Sequence, residues 1–210
     1  TGNFDNDRKS IAMASAEVSD VCVFGGDGTL NLVINAVITS DVVVNLIPCG
    51  TGNDFARTIF GEKWSILALL SSNKTVKTDV PICNNRYFVN VLGIGFDAHI
   101  VKNMHNKPKF LGSLTYWWEA LKALFLYKEA IINLKRDTLN EENHSCFMLV
   151  LGNGKFFGGG MQICPHATIN DGHLSFVVAG NLSLGKRLSL LFKMINGTHV
   201  KDESVTSDSV

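Results

Sequence analysis

Apolar positions recur along the chain with two different periods. Ile11, Ala14 and Val18 return at helical spacing, so residues 9–18 read as a helix. DVCVF, residues 20–24, is a continuous apolar run of strand length that ends in the turn GGDG. Leu30, Val33, Ile34 and Val37 then mark one face of a second helix, with Gly28 or Thr29 near its N-terminus. DVVVNLIP, residues 41–48, is another buried-type strand, closed by Pro48. CGTGNDFARTIF, residues 49–60, is a second glycine turn entering a helix that Asn53 or Asp54 can cap. Strand, helix and strand joined by short loops predict parallel pairing with helices on the faces of the sheet.

Beyond about residue 73 strands outnumber helices. TVKTDVPI (75–82), RYFVNVLGIG (86–95), EAIINLKRD (129–137), SCFMLVLGN (145–153) and GHLSFVVAG (172–180) read as strands. KPKFLGSLTYWWEALKALFLY (107–127) reads as one helical region among them, packing its aromatic residues in a core or presenting them to lipid. The expected fold class is therefore α/β. An N-terminal α/β domain, residues 1–72, carries a parallel sheet flanked by helices; a mainly antiparallel, β-sandwich-like domain follows over residues 73–210.

Composition narrows the function. The 210 residues carry 19 basic and 19 acidic side chains, a net charge of zero, so no basic field supports nucleic-acid binding. Five cysteines are scattered without a CxxC pair, which reads as reduced, mostly buried thiols. No apolar run approaches the ~18 residues of a membrane span. Five of the histidines, His99, His105, His144, His166 and His199, show no ligand spacing, and HNKPK (105–109) is a small basic loop suited to solvent or to anionic headgroups. TGNFDND opens in turn-forming residues, and the last fourteen residues lack an apolar pattern. Both termini are therefore expected to be missing from the fold.

A glycine turn between strand and helix lets backbone N–H groups approach an anion, and the helix N-terminus adds positive potential. The spacing in GGDG is neither that of the P-loop nor GxGxxG, so neither of those sites is indicated. A carboxylate there, Asp27, repels phosphate unless a cation lies between them or it orients a hydroxyl or water; an Asp-Gly pair in an ordinary tight turn is the plainer alternative. Gly50, Thr51 and Gly52 form the second turn. Two such turns after successive parallel strands lie side by side at the carboxyl edge of the sheet, where ligands of open α/β folds bind.

GGDGTLN (25–31) followed by PCGTGNDFAR (48–57), FVNVLGIGFDA (88–98), KPKFLGSLTY (107–116) and GNGKFFGGGMQICPHATINDGHLSF (152–176) resembles, in order and spacing, the catalytic domain of the diacylglycerol kinase and lipid kinase family, above all its bacterial members. NAD kinases and phosphofructokinases share only the GGDGT-like part. The resemblance implies an ATP-dependent lipid kinase with a nucleotide-binding α/β domain and a β-sandwich-like domain. By motif, Gly25, Gly26, Asp27, Gly28, Thr29, Leu30 and Asn31 hold the ATP phosphates, with Asp27 near the phosphate–Mg²⁺ region. Thr51 and Thr1 are further nucleotide contacts. ATINDGHL (167–174) resembles the family's structural Mg²⁺ site, with the Asp171 carboxylate and the backbone carbonyls of Thr168 and His173 as ligands. Asn-Asp-Gly is equally a hairpin turn signal.

The family also carries a strand and glycine loop that would precede Thr1, and an Asp-Gly-Glu whose glutamate is the expected general base. No Asp-Gly-Glu occurs here, so that base is expected beyond Val210, with Asp27 as the alternative catalytic carboxylate. The resemblance further implies a lipid substrate, a cytoplasmic enzyme peripheral to the membrane and a transient membrane surface as partner; a homodimer is compatible with it. A sphingoid or other long-chain alcohol as acceptor, and a nucleotide-binding module without catalysis, are the alternatives. Asp97 either caps the helix at 96–104 or faces the cleft, and Asp79 is a strand-end charge or part of the active-site network.

Overall fold

The computed structural model describes residues 1–72, 74–104, 121–134 and 142–210. In chain order the elements are α1 (Phe4–Ala14), β1 (Asp20–Gly25), α2 (Asp27–Val37), β2 (Val43–Pro48), α3 (Asp54–Phe60), α4 (Ile66–Leu70), β3 (Ile82–Cys83), β4 (Arg86–Tyr87), β5 (Val91–Gly95) and α5 (Phe96–Met104). There follow β6 (Ala130–Leu134), β7 (Glu142–Cys146), β8 (Met148–Gly152), β9 (Phe156–Phe157), β10 (Met161–Gln162), β11 (Ser175–Ala179), α6 (Leu184–Ile195), a 3-10 turn (Thr198–Lys201) and β12 (Val205–Ser209). They divide into two units. Thr1–Val91, Asn153–Gly160 and Thr168–Gly172 form the first; Leu92–Gly152, Met161–Ala167 and His173–Val210 form the second.

In the first unit β1 and β2 pair in parallel, from Asp20 opposite Val43 to Gly25 opposite Pro48. Val23 on β1 packs on Val33 and Val37 of α2, with Ile11 of α1 closing the layer. Leu30, Phe55 and Val89 form a second cluster beside it. The strand alternation that turns Val23 inward turns Cys22 and Phe24 out. All five cysteines are free, but Cys22 and Cys49 are exposed, so the thiols are less uniformly buried than their apolar neighbours suggest.

α1 begins five residues before the expected start, because the Asn3 side chain caps it by accepting the Asn6 N–H at 3.0 Å. Residues 75–82 contribute only Ile82 to a strand. The Asp79 N–H and the Thr78 hydroxyl both donate to the Ile169 carbonyl instead of joining a ladder. Asn84 and Asn85, at φ 48° and 62°, make the two-residue turn between β3 and β4.

The second unit is built on a four-stranded sheet in the order β12-β11-β8-β5, with β11 antiparallel to both β8 and β12. β6 and β7 form a separate antiparallel pair. The fold is thus mixed α/β, a parallel-sheet and helix region followed by an antiparallel sheet region, as the hydrophobic pattern predicts. The buried Arg187 of α6 organises this unit. Its guanidinium donates to the carbonyls of Leu182, Leu124 and Tyr127, pairs with Glu129 and lies over the Phe147 ring. The carbonyls of Leu124 and Tyr127 fall at the end of the helical residues 121–126, so one arginine caps that helix and ties it to α6. Most of the expected helix at 107–127, and the loop HNKPK, lie outside the described residues. Among the described residues no helix is long and apolar enough to cross a membrane.

Candidate functional site

The two glycine turns meet. β1 and β2 end in register, and the Cys49 N–H donates to the Gly25 carbonyl at 3.2 Å. A Cβ on Gly50 would lie 2.4 Å from the Gly26 Cα, so the turns touch backbone to backbone. Asn53, in the left-handed region at φ 54°, holds the second turn closed: its Oδ1 accepts the Gly50 N–H at 2.9 Å and its Nδ2 donates to the Gly50 carbonyl at 2.7 Å. On the other side Thr29 covers Gly25, where an added Cβ would fall 2.5 Å from the threonine Cβ.

Asp27 fastens the first turn to the helix that follows the second. Its carboxylate accepts the backbone N–H of Asp54 at 3.1 Å and of Phe55 at 2.8 Å. α3 is therefore capped from 27 residues away. The nearby caps expected from sequence do not act: the Asn53 side chain makes no cap hydrogen bond to α3, being spent on Gly50, and Asp54 is already the first helical residue. An ionised acceptor at a helix N-terminus also meets its positive end.

Asp54 is itself 6% exposed. Its Oδ2 accepts the Gly159 N–H at 2.9 Å, while its Oδ1 is enclosed without a partner. Burial pushes its carboxyl above the usual aspartate range and the Asp27 charge adds to this; the N–H groups of Gly159 and Gly160 and the Arg57 charge pull the other way. Sequence reasoning treats Asp54 only as a cap and gives Arg57, Gly159 and Gly160 no individual role. The triple glycine at 158–160 is the signal that could have found this pairing.

The remaining expected residues divide by what the structure does with them. Gly28 and Thr29 are exposed on the first turn of α2, and nothing stands within 4 Å of a Cβ added at Gly28. The first bond inside α2 runs from the Leu30 N–H to the Gly26 carbonyl, so the amides before Leu30 lack acceptors within the helix. The Leu30 side chain itself is buried in the core. The Asn31 Oδ1 is enclosed without a partner. Thr51 is exposed in the second turn. The Thr1 hydroxyl donates to Asp7 at 2.6 Å.

Thr168, Asp171 and His173 are exposed, on a loop held at Gly172, φ +75°, whose N–H donates to the Asp79 carboxylate at 2.8 Å. Asp79 is thus a fastening for that loop. Among the described residues no group of three His, Cys, Asp or Glu side chains is placed to hold a metal. In the second unit Asp97, 8% exposed, lies within the first turn of α5 against Gly93, and its Oδ1 has no partner. Burial alone raises its carboxyl to about 6.

Residues 2–82 match the family described as "Diacylglycerol kinase catalytic domain". Residues 90–209 match "YegS C-terminal NAD kinase beta sandwich-like domain". The diacylglycerol kinase of Mycobacterium tuberculosis is 28% identical, over 98% of this chain and 70% of its own length. A Yersinia pestis protein named "probable lipid kinase YegS-like" is 32% identical, over 91% of this chain and 68% of its own length. A crystal structure of a diacylglycerol kinase from Bacillus anthracis shares the fold, with a TM-score of 0.69 at 24% identity across all of this chain and 70% of that one. Both halves of the chain place it in the diacylglycerol kinase and YegS-like lipid kinase family.

Proposed function

We propose that the protein transfers the γ-phosphate of ATP to the hydroxyl of diacylglycerol or a related lipid, working at a membrane surface. The observation that carries this reading is the contact of the two turns at Gly26 and Gly50, with Asp27 bolting the first turn to α3. That contact rigidifies a strip of backbone N–H groups at the carboxyl edge of a parallel sheet. Such a strip suits phosphate because its donors are fixed before the ligand arrives.

ATP fits the strip. Gly28 presents bare backbone, no side chain overhangs it, and the amides before Leu30 are unspent within the helix. Gly25, Gly26, Gly28, Thr29 and Asn31 would hold the phosphates, with Thr51 and Thr1 as outer contacts. Both Asp27 oxygens are occupied as acceptors, which favours positioning over proton removal. Mg²⁺ fits the exposed loop at 168–173. Asp171 supplies a carboxylate, Thr168 and His173 supply carbonyl oxygens, and exposure leaves room for water in the shell. Bound Mg²⁺ would brace the loop.

The test is Mg²⁺-dependent transfer of labelled phosphate from ATP in mixed micelles, with diacylglycerol, a sphingoid base and a long-chain alcohol as separate acceptors. Label on diacylglycerol, lost in Gly50→Val, supports the reading. Label on another acceptor moves the substrate class. Nucleotide binding without transfer to any acceptor replaces the enzyme with a nucleotide-binding module.

A further inference from the structure

Arg57 has no part in the function proposed above, yet its Nε makes no hydrogen bond. It stands one helical turn after Asp54 on α3. Its Nε is enclosed and unpartnered, and its guanidinium rests 5.9 Å from the centre of the Trp64 ring. That contact uses none of the guanidinium's donors. Asp54 is the obvious counter-ion, but its Oδ2 is taken by Gly159 while its Oδ1 stays unpartnered. One turn of helix therefore carries an orphan donor on a permanent cation and an orphan acceptor on a carboxyl group. Buried groups of both kinds are costly to leave unmade.

The wall beside them is the run Gly158, Gly159, Gly160, with φ of 65°, 88° and 115°. Side chains are strained at such angles, so the wall stays bare backbone. A Cβ on Gly160 would reach to 3.7 Å from the Arg57 Cζ and Nε, so guanidinium and glycine backbone line one surface. The Gly159 N–H already draws charge from Asp54.

We propose that Arg57, Asp54 and the Gly158–Gly160 run form an oxyanion subsite that takes a phosphate group. The fork supplies the charge, and Asp54 holds the glycine wall in place through the Gly159 N–H. The inference rests on the kinase reading only for the choice of phosphate as oxyanion. Two sources share this chemistry: the terminal phosphate of a nucleotide and the phosphate of a lipid headgroup.

Binding is measured by calorimetry for ATP, ADP and inorganic phosphate, and by sedimentation with vesicles of phosphatidylcholine alone or mixed equally with phosphatidic acid. Wild type is compared with Arg57→Gln and Arg57→Lys, with a thermal melt for each. Arg57→Gln is expected to weaken at least one phosphate ligand about 10- to 100-fold, as loss of a charge-assisted contact does, and Arg57→Lys to recover part of it. Loss confined to ATP identifies the nucleotide's terminal phosphate; loss confined to phosphatidic acid vesicles identifies the headgroup. Unchanged binding of every probe by a folded Arg57→Gln overturns the subsite.

Should that variant fail to fold, wild type is treated with phenylglyoxal with and without phosphate, and the Arg57 peptide is followed by mass spectrometry. Protection supports the subsite and its absence overturns it. If wild type binds phosphate through Arg57 but transfers none from ATP, the kinase reading fails and the subsite stands.

Discussion

Replacing Asp27 by alanine removes both acceptors of the α3 N-terminus at once. Losing an ordinary N-cap costs about 0.5–2 kcal/mol. Here the acceptor is ionised and bonds two amides, at 2.8 and 3.1 Å, and such bonds contribute about 1.5–3 kcal/mol each. Water can replace part of this, because the turn is half exposed, and Asp54 gains from losing a like charge. The net expectation is about 2 kcal/mol for Asp27→Ala. For Asp27→Asn it is about 1 kcal/mol, since the amide can keep the Phe55 N–H but turns a donor toward that of Asp54. For a chain of this size about 2 kcal/mol lowers Tm by roughly 4–8 °C.

The sharper assay is amide exchange. About 2 kcal/mol of local opening free energy corresponds to roughly 30-fold faster exchange at Asp54 and Phe55, with little change in the second unit. Unchanged protection of these two amides in Asp27→Ala would show that the carboxylate does not carry α3. The comparison also guards the functional assay, because lost phosphate transfer in Asp27→Ala alone would report a frayed helix as readily as a missing proton acceptor. Only a loss that persists in Asp27→Asn, at native protection, would point to chemistry at that oxygen.

Two glycine substitutions should act in opposite directions. Gly50→Ala places a Cβ 2.4 Å from the Gly26 Cα, where no side chain can swing aside, so it should cost about 1–3 kcal/mol in urea unfolding and weaken ATP binding. Gly28→Ala meets open space inside a helix and should stabilise by about 0.4–1 kcal/mol; destabilisation would show the mouth of the turn to be more crowded than described. Asp97 sets a pH dependence. Its folded carboxyl is raised by burial from 3.8 to about 6, so its favourable contribution is complete below about pH 3.8 and is lost as pH rises through 6. Wild type should therefore lose about 2.4 kcal/mol relative to Asp97→Asn between pH 4 and 7 in chemical unfolding, and parallel stability curves would refute the assignment.

What was legible in the sequence is what short-range pattern controls. The apolar run before GGDG gave β1 to within a residue, the helical face of Leu30, Val33 and Val37 gave α2, and residues 96–104 gave α5. The meeting of the two turns followed from parallel strands of matched length. The partners of the turn residues were not legible. Asn53 sits where a cap belongs but is diverted to Gly50, and the cap comes from Asp27, because two turns packed through bare glycine bring that carboxylate over α3. Asp54 finds Gly159 across 105 residues of chain, a distance no local period encodes. TVKTDVPI has strand composition, yet Thr78 and Asp79 donate to Ile169 rather than to a ladder, since a long-range carbonyl outcompeted propensity.

The contact of Gly26 with Gly50 constrains how this sequence can change over generations. Most packed pairs drift by compensation, one residue enlarging as its neighbour shrinks. Here both partners are already the smallest residue available, and the obstacle each presents to the other is main chain. A side chain at either position therefore has no second-site suppressor within the pair. Relief would have to come from separating β1 and β2 at their ends, which also lifts Asp27 from α3. The two glycines are thus locked one at a time, each independently of the other, and mutational scans should find both positions intolerant in every genetic background that keeps the Asp27 bridge.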